Sequence, residues 1–308
     1  MPAPNLDVAV IGEIYVDHVF SGFTRWPAPG EEVTTEAYTR EVGGGAAATA
    51  CGLARLDRTV ALVGLVGADD RDWFAARLAR YGVAPDGLRV GNGASGTTIS
   101  VSTAQDRSFF THIGVNHDVG ALAAGAGLAV LLSARHVHFA MPLPRAVAEQ
   151  VLPALKAAGI TMSLDMGYQP EWLADPANRP TLAAVDYLIP NEKEAELLCG
   201  STEVDAFFDA AETLGIAHPM VKLGARGAAA REDGHTVSVA PPPVEAVDAT
   251  GAGDAFDAGF IDALLDDADP KTRLQHGCIT GALSTRQPGA LAAIPDRHEL
   301  RSTHDRFY

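Results

Sequence analysis

A chain of 308 residues with 47% hydrophobic content carries enough apolar surface for one large core. Its formal net charge of -16, from 23 Lys+Arg against 39 Asp+Glu, argues against a nucleic-acid-binding surface or an anchor for anionic membranes. Three cysteines, Cys51, Cys199 and Cys278, form no C-x-x-C pair, so a zinc ribbon or disulfide scaffold is not expected and a reducing cytoplasm is.

The start, Met1-Pro2-Ala3-Pro4-Asn5, has neither a basic n-region nor an apolar h-region, so no signal peptide is expected. Leu6 to Ile11 is a continuous apolar run, which predicts a buried strand of a parallel sheet, ended by Gly12. Asp17 follows on a segment that leaves the core. Residues 31–42 and 96–113 are rich in Thr, Val, Ile and Phe with alternation, as in Thr97-Thr98-Ile99-Ser100-Val101, and predict strands of a smaller, one-sided sheet. Pro27, Pro29 and Gly30 mark the turn into it. Val42-Gly43-Gly44-Gly45-Ala46-Ala47-Ala48-Thr49-Ala50 then runs into an alanine-rich helix to about Leu56. This stretch formally fits the dinucleotide fingerprint G-x-G-x-x-A. That fingerprint belongs directly after a βαβ strand, with an acidic residue about twenty positions on. Here it follows small-sheet sequence, so close helix packing through small residues is the plainer reading.

Ala61 to Gly67 predicts a second buried strand. A helix carrying Trp73, Phe74, Leu78 and Tyr81 follows, closed by Gly82. The apolar stretch at 121–132 is too short to span a membrane. From about residue 130 the pattern alternates. Strands are expected at 136–140, 160–165, 186–190 and 219–223. Helices are expected at 145–158, 191–199, 203–214, 252–266 and 270–286, with Gly159, Gly200 and Gly215 at helix ends. This is the βαβ rhythm of an α/β doubly wound sheet. No internal repeat or low-complexity linker interrupts it. A single unit, 1–308, is expected, with the smaller sheet inserted as segments 14–42 and 96–113.

Several residues carry candidate chemistry. His136 and His138 share a strand face, but without a third ligand nearby they read as ordinary strand residues rather than a metal site. Asp165 closes the strand Thr161-Met162-Ser163-Leu164, and strand C-termini collect ligands in open α/β sheets. Asn191-Glu192-Lys193-Glu194 has the N-cap Asn and N3 Glu of a capping box. Gly224 and Gly227 permit a tight strand–turn–strand after Lys222, which is placed for a phosphate or for a salt bridge. Asp248 to Phe256 opens a helix marked by Phe256, Phe260, Ala263 and Leu264. Gly251 and Gly253 sit where it begins. Free first-turn N–H groups and the positive end of the helix dipole make an anion site there. Asp254 stands in that first turn. A carboxylate beside an anion site suits one task, deprotonating a hydroxyl that attacks a phosphate. The bland alternative is a tight turn with an acidic helix-start residue.

The stretch Asp248-Ala249-Thr250-Gly251-Ala252-Gly253-Asp254, with Gly259-Phe260 after it, resembles the second signature of the ribokinase-like carbohydrate kinases, the PfkB family. Gly43-Gly44 matches the first signature, G-G-x-x-x-N, with Ala48 in the place of its asparagine. Gly67 to Gly82 is similar to the family's G-x-D-x-x-G helix, with Asp72 for a usual glycine. At Asp165 the family often reads D-x-N, where Gly167 replaces the asparagine. Asn191 and Glu194 supply N-x-x-E, and Gly289-Ala290 matches R-x-G-A.

The resemblance implies a ribokinase-like fold whose smaller sheet is a lid over the acceptor. It also implies transfer of phosphate from ATP to an alcohol of a sugar or nucleoside. Asp254 would be the base, with Gly251, Ala252 and Gly253 as anion hole. Asp17, Gly43, Gly44, Ala48, Arg107 and Asp165 would meet the acceptor. Asn191, Glu194, Lys222, Gly224, Gly227, Cys278 and Gly289 would meet the nucleotide. Asn191 and Glu194 would organise the water shell of Mg²⁺, and Asp248 with Thr250 a monovalent cation such as K⁺. A homodimer through the lid, no nucleic-acid or membrane partner, and a cytoplasmic place are further expectations. The competing class is a non-catalytic sugar or nucleotide sensor that kept the fold.

Overall fold

The apolar run near the start of the chain becomes an interior strand of a large sheet in the computed structural model, which describes residues 5–103 and 107–308. The strands are β1 (Leu6–Gly12), β2 (Tyr15–Phe23), β3 (Ala37–Gly43), β4 (Val60–Val66), β5 (Leu88–Val90), β6 (Gly96–Thr103) and β7 (Arg107–His112), then β8 (Ala134–Ala140), β9 (Thr161–Leu164), β10 (Tyr187–Leu188), β11 (His218–Lys222), β12 (Ala228–Glu232) and β13 (His235–Val239). The helices are α1 (Gly45–Arg55), α2 (Arg71–Ala79), α3 (Val119–Ala124), α4 (Leu128–Leu131), α5 (Arg145–Ala157) and α6 (Pro170–Ala174), then α7 (Arg179–Ala184), α8 (Glu192–Cys199), α9 (Val204–Leu214), α10 (Ala252–Leu265), α11 (Pro270–Ser284) and α12 (Arg297–Phe307).

Nine strands form the large sheet in the order β13-β12-β11-β10-β9-β8-β1-β4-β5. From β11 to β5 every pairing is parallel; β12 and β13 add on antiparallel. Burial on both faces explains the unbroken apolar strands: all of β4, Val-Ala-Leu-Val-Gly-Leu-Val, is buried. Alternate residues of β1 feed two cores. Ala9 and Ile11 join Leu131, Leu155 and Phe208 on one face. Val8 and Val10 join Cys51, Phe256 and Ile261 on the other, beneath α1, α10 and α11. The layers are those of a doubly wound sheet.

The smaller sheet has four strands in the order β3-β2-β6-β7. Two features differ from expectation. Tyr15–Phe23 is a full strand, central in this sheet, where the sequence showed only a segment leaving the core. Residues 31–36 contain no strand; pairing begins at Ala37. The closing helix α12 also escaped the pattern, because it buries only Leu300 and Thr303 and rests on an Asp296 cap that accepts the Glu299 N–H at 2.9 Å. The glycine-rich stretch at 43–45 leaves β3 of the smaller sheet rather than a strand of the parallel sheet, which is the wrong setting for a dinucleotide fingerprint. Among the described residues, no helix is long and apolar enough to cross a membrane.

Candidate active site

Two glycine-rich helix starts meet at Asp254. Helix α10 begins at Gly251, whose φ of 74° is left-handed, and a Cβ there would fall 2.5 Å from that of Ala290. Helix α1 begins at Gly44, with φ 95°, where a Cβ would fall 2.4 Å from the Glu13 carbonyl oxygen. On one side of Gly44, a side chain on Gly43 would strike the Asp17 carboxylate at 2.1 Å. On the other, a side chain on Gly45 would lie 2.6 Å from Asp254 Oδ1. The backbone of 43–45 therefore runs with a carboxylate against each end. The same small residues pack the helices: Thr49 Oγ1 donates to the Asp254 carbonyl at 3.2 Å, and a Cβ on Gly52 would sit 2.7 Å from that of Ala258. Ala48 is buried in this helix contact and does not line the adjoining cavity.

That cavity measures about 910 Å³. Part of its lining is polar: Asp254, Lys222, Asp165, Asn191 and Glu194, beside the Gly253 backbone. The rest of its lining is largely apolar, with Pro241, Pro242, Pro243, Val244, Phe256 and Cys278, together with Gly224, Ala225 and Gly227 of the turn after Lys222. The Cys278 thiol faces the Val239 carbonyl at 3.7 Å, and burial pushes its pKa up to about 12. It is a packing residue here.

Lys222 stands among the polar groups. Its ammonium donates to Asp165 Oδ2 at 2.5 Å and to Asp257 Oδ1 at 3.2 Å. Asp165 also accepts the Gly167 N–H at 2.9 Å. Burial works against the charge on Asp165, but Lys222 overrides it and holds the carboxyl down at about 2. Lys222 itself is held well above its ordinary range: burial opposes the charge, and Asp165 and Asp257 outweigh it.

The other carboxylates move the opposite way. Burial, then the negative charge of Asp165, pushes Asp254 up to about 7. Burial and the same neighbour push Glu194 up to about 7. Asp17 stands opposite Glu41 across β2 and β3; burial and that charge push it up to about 6. Each is a carboxyl whose proton comes and goes near neutrality.

Asn191 and Glu194 form the capping box that their spacing predicts. Asn191 Oδ1 accepts the Lys193 and Glu194 N–H groups at 3.0 and 3.1 Å. Glu194 in turn accepts from the Asn191 N–H at 2.8 Å and from its side-chain amide at 2.7 Å. Asp248 joins two loops. Its Oδ1 accepts from the Thr250 N–H at 3.0 Å and hydroxyl at 2.7 Å, and its Oδ2 from the Gly289 N–H at 2.8 Å. Asp248, Thr250, Gly251 and Gly289 do not line the cavity, nor do Asp17, Gly43 and Gly44. Arg107 opens β7, but its side chain lies outside the described residues. His136 and His138 face hydroxyls: Ser163 Oγ lies 2.8 Å from each, and Thr161 Oγ1 2.8 Å from His136 Nδ1. Burial lowers their pKa values to about 3 and about 4, so both rings are neutral.

The motifs do not announce Asp257, Tyr168 or the Pro241–Pro243 wall. Asp257 had a signal: it is a charged residue among buried neighbours on α10, one turn past Asp254. Tyr168 and the prolines belong to loops, where no periodicity points at them.

Comparison with known proteins follows the same lines. The family model described as pfkB family carbohydrate kinase matches residues 5–297. A ribokinase from Haemophilus influenzae is 28% identical, over 95% of this chain and 96% of its own length. An ATP-dependent ribose-1-phosphate kinase from Halopiger xanaduensis is 33% identical, over 87% of this chain and 88% of its own. The solved structure of Arabidopsis thaliana ribokinase complexed with ribose and ATP superposes with a TM-score of 0.82 at 25% identity, covering 97% of this chain and 98% of that one.

Proposed function

The chain belongs to the pfkB family of carbohydrate kinases, and from that premise we propose that it transfers the terminal phosphoryl group of ATP to a hydroxyl of a small sugar or nucleoside, with Asp254 accepting the hydroxyl proton. One observation carries the reading. Asp254 stands in the first turn of α10, on the cavity wall and against Gly45, with its pKa pushed up to about 7. A base poised near neutral pH beside a helix start is the arrangement that hydroxyl attack on a phosphate needs.

The remaining roles follow from position. Of residues 251–253, Gly251 and Gly253 would present N–H groups to the transferred phosphoryl, in place before charge develops, whereas the Ala252 N–H donates to the Ala249 carbonyl at 3.2 Å. The apolar part of the lining, with Cys278 and the proline wall, suits a nucleobase. Asp17, Gly43 and Gly44 would meet the acceptor between the two sheets, and Asp165 is tied up with Lys222 instead. An acceptor that met both Asp17 and Asp254 would be a neutral polyhydroxy compound rather than a phosphorylated one. Ala48 carries no polar atom, so no side-chain amide reaches an acceptor hydroxyl from that turn of α1, and the best acceptor would differ from ribose there.

Asn191 and Glu194 offer hard oxygen donors at the cavity wall, and the raised pKa of Glu194 is the state that a nearby cation would relieve, so the pair fits Mg²⁺ held through water. Mg²⁺ bound with the nucleotide neutralises charge on the phosphates. The Asp248 carboxylate already accepts three donors, which leaves loop carbonyls for a monovalent cation; rates in KCl against NaCl test that part. The smaller sheet would act as the lid that excludes water. Tyr38, Ile99 and Phe110 are exposed on it and suit pairing with a second copy, which sedimentation would show.

The test of the whole reading is ATP consumption with a panel of sugars, sugar phosphates and nucleosides. Turnover with a neutral sugar or nucleoside supports it. Binding without turnover across the panel would favour the sensor.

A further inference from the structure

Three carboxylates, from Asp165, Asp254 and Asp257, offer oxygens that all lie within 4.8 Å of one another. Such a group has the oxygen donors that a divalent ion takes. In this chain a side chain stands among them. The Lys222 ammonium bonds Asp165 at 2.5 Å and Asp257 at 3.2 Å, is almost wholly buried, and lies 3.3 Å from where a Cβ of Gly253 would be. We infer that Lys222 is a built-in cation of the phosphoryl site, filling the place of a metal ion among these carboxylates and directing its remaining N–H at the terminal phosphate held by the α10 start.

The inference rests on the kinase reading above and deepens it, for three reasons. An ammonium has three donors, and two are taken by Asp165 and Asp257, so one is left on the cavity side where Gly253 approaches. Asp257 spends a charged residue on a helix face that is otherwise buried. No N–H group reaches its Oδ2; the ring nitrogen His138 Nε2 is 3.8 Å away and also unpartnered, and burial, with the adjoining Asp165 carboxyl, pushes Asp257 well above the usual carboxylate range although Lys222 opposes this. A group so poorly served by its surroundings is explained by the cation that it holds, which makes Asp257 a positioning residue for Lys222.

The experiment uses two variants of the full chain. Lys222→Ala frees the three carboxylates. Without nucleotide, millimolar MnCl₂ should leave the wild-type melting temperature in place and raise that of Lys222→Ala by several degrees, through linkage to the bound ion. Lys222→Met keeps the length and apolar stem of the side chain and carries the kinetic arm should the alanine variant fail to fold. It should lose roughly 10²–10³-fold in kcat, the cost of one charged donor to the transferred group, and lose affinity for ATP more than for AMP. No manganese-dependent rise in a folded Lys222→Ala protein would overturn the inference, as would wild-type kcat in Lys222→Met. Should the wild-type protein phosphorylate nothing in the acceptor panel, the kinase reading falls, while the manganese shift and the ATP-to-AMP affinity ratio still decide the place of Lys222.

Discussion

Asp254 and Gly45 touch across the junction of α10 and α1: a side chain on Gly45 would begin 2.6 Å from Asp254 Oδ1. The atom in its way is the end of a side chain, so Gly45→Ala would push the carboxylate aside without unfolding the helix pair. A displacement of about 1 Å at a reacting group costs on the order of 10²-fold. The expected result is a loss of that size in kcat with a melting temperature close to wild type. Unchanged kcat would mean that the carboxylate position is not critical.

Asp17 faces Glu41, and burial, then that charge, pushes its carboxyl up to about 6, above the ordinary aspartate range. A raised carboxyl pKa contributes stability that is full below the unfolded value and lost as pH rises through the folded one. Asp17→Asn removes the charge that causes the loss. At pH 8 the variant should melt about 2–4 °C above wild type, and the difference should vanish toward pH 4. It should also raise KM for the acceptor. A melting difference that grows toward acid would contradict the sign.

Glu194 serves the cap and, in the proposed reading, the metal. Both its oxygens accept from Asn191, at 2.8 and 2.7 Å. Glu194→Gln turns one acceptor into a donor, which costs about 1 kcal/mol, and relieves a desolvated carboxyl, which offsets part of it. The melting temperature should therefore move by no more than about 3 °C. The Mg²⁺ concentration for half-maximal rate should rise about tenfold, as expected for a lost charge at the ion. Wild-type Mg²⁺ dependence would reduce the motif to its capping role.

The large sheet was legible because burial on both faces forces unbroken apolar runs such as β4, and short glycine-ended helices separate them. The smaller sheet was legible only in outline. Tyr15–Phe23 is half-buried along most of its length and mixes Asp17 and His18 with apolar residues, so no clean alternation marks it. In the site, Asp254 and the capping box could be read from local spacing. The Lys222–Asp165–Asp257 group could not, because it joins three separate elements, with partners 57 and 35 residues apart in sequence. The collision of Gly43 with Asp17 is hidden for the same reason: it exists only once β2 and β3 pair.

Asp254 carries the functional claim, and two measurements bear on it together. An alcohol is a poor nucleophile at neutral pH, so attack gains from a carboxylate that takes the proton as the new bond forms. Burial, then Asp165, pushes that carboxyl up to about 7, so the free enzyme holds the base protonated below that pH. The kcat/KM of the wild-type protein should climb about tenfold per pH unit below 7 and level off above it. Asp254→Asn keeps the shape but cannot take the proton, and kcat should fall roughly 10²–10⁴-fold. ATP affinity should hold or tighten slightly, because a negative charge beside the phosphates has gone. The raised pKa also fixes the sign for stability: the wild-type carboxyl costs more as pH rises through 7, so the asparagine variant should be the more stable of the two at pH 8. A folded Asp254→Asn protein that turns over at the wild-type rate would remove Asp254 as the base. The same fall in rate with a flat wild-type pH profile would assign it to binding the acceptor rather than to taking its proton.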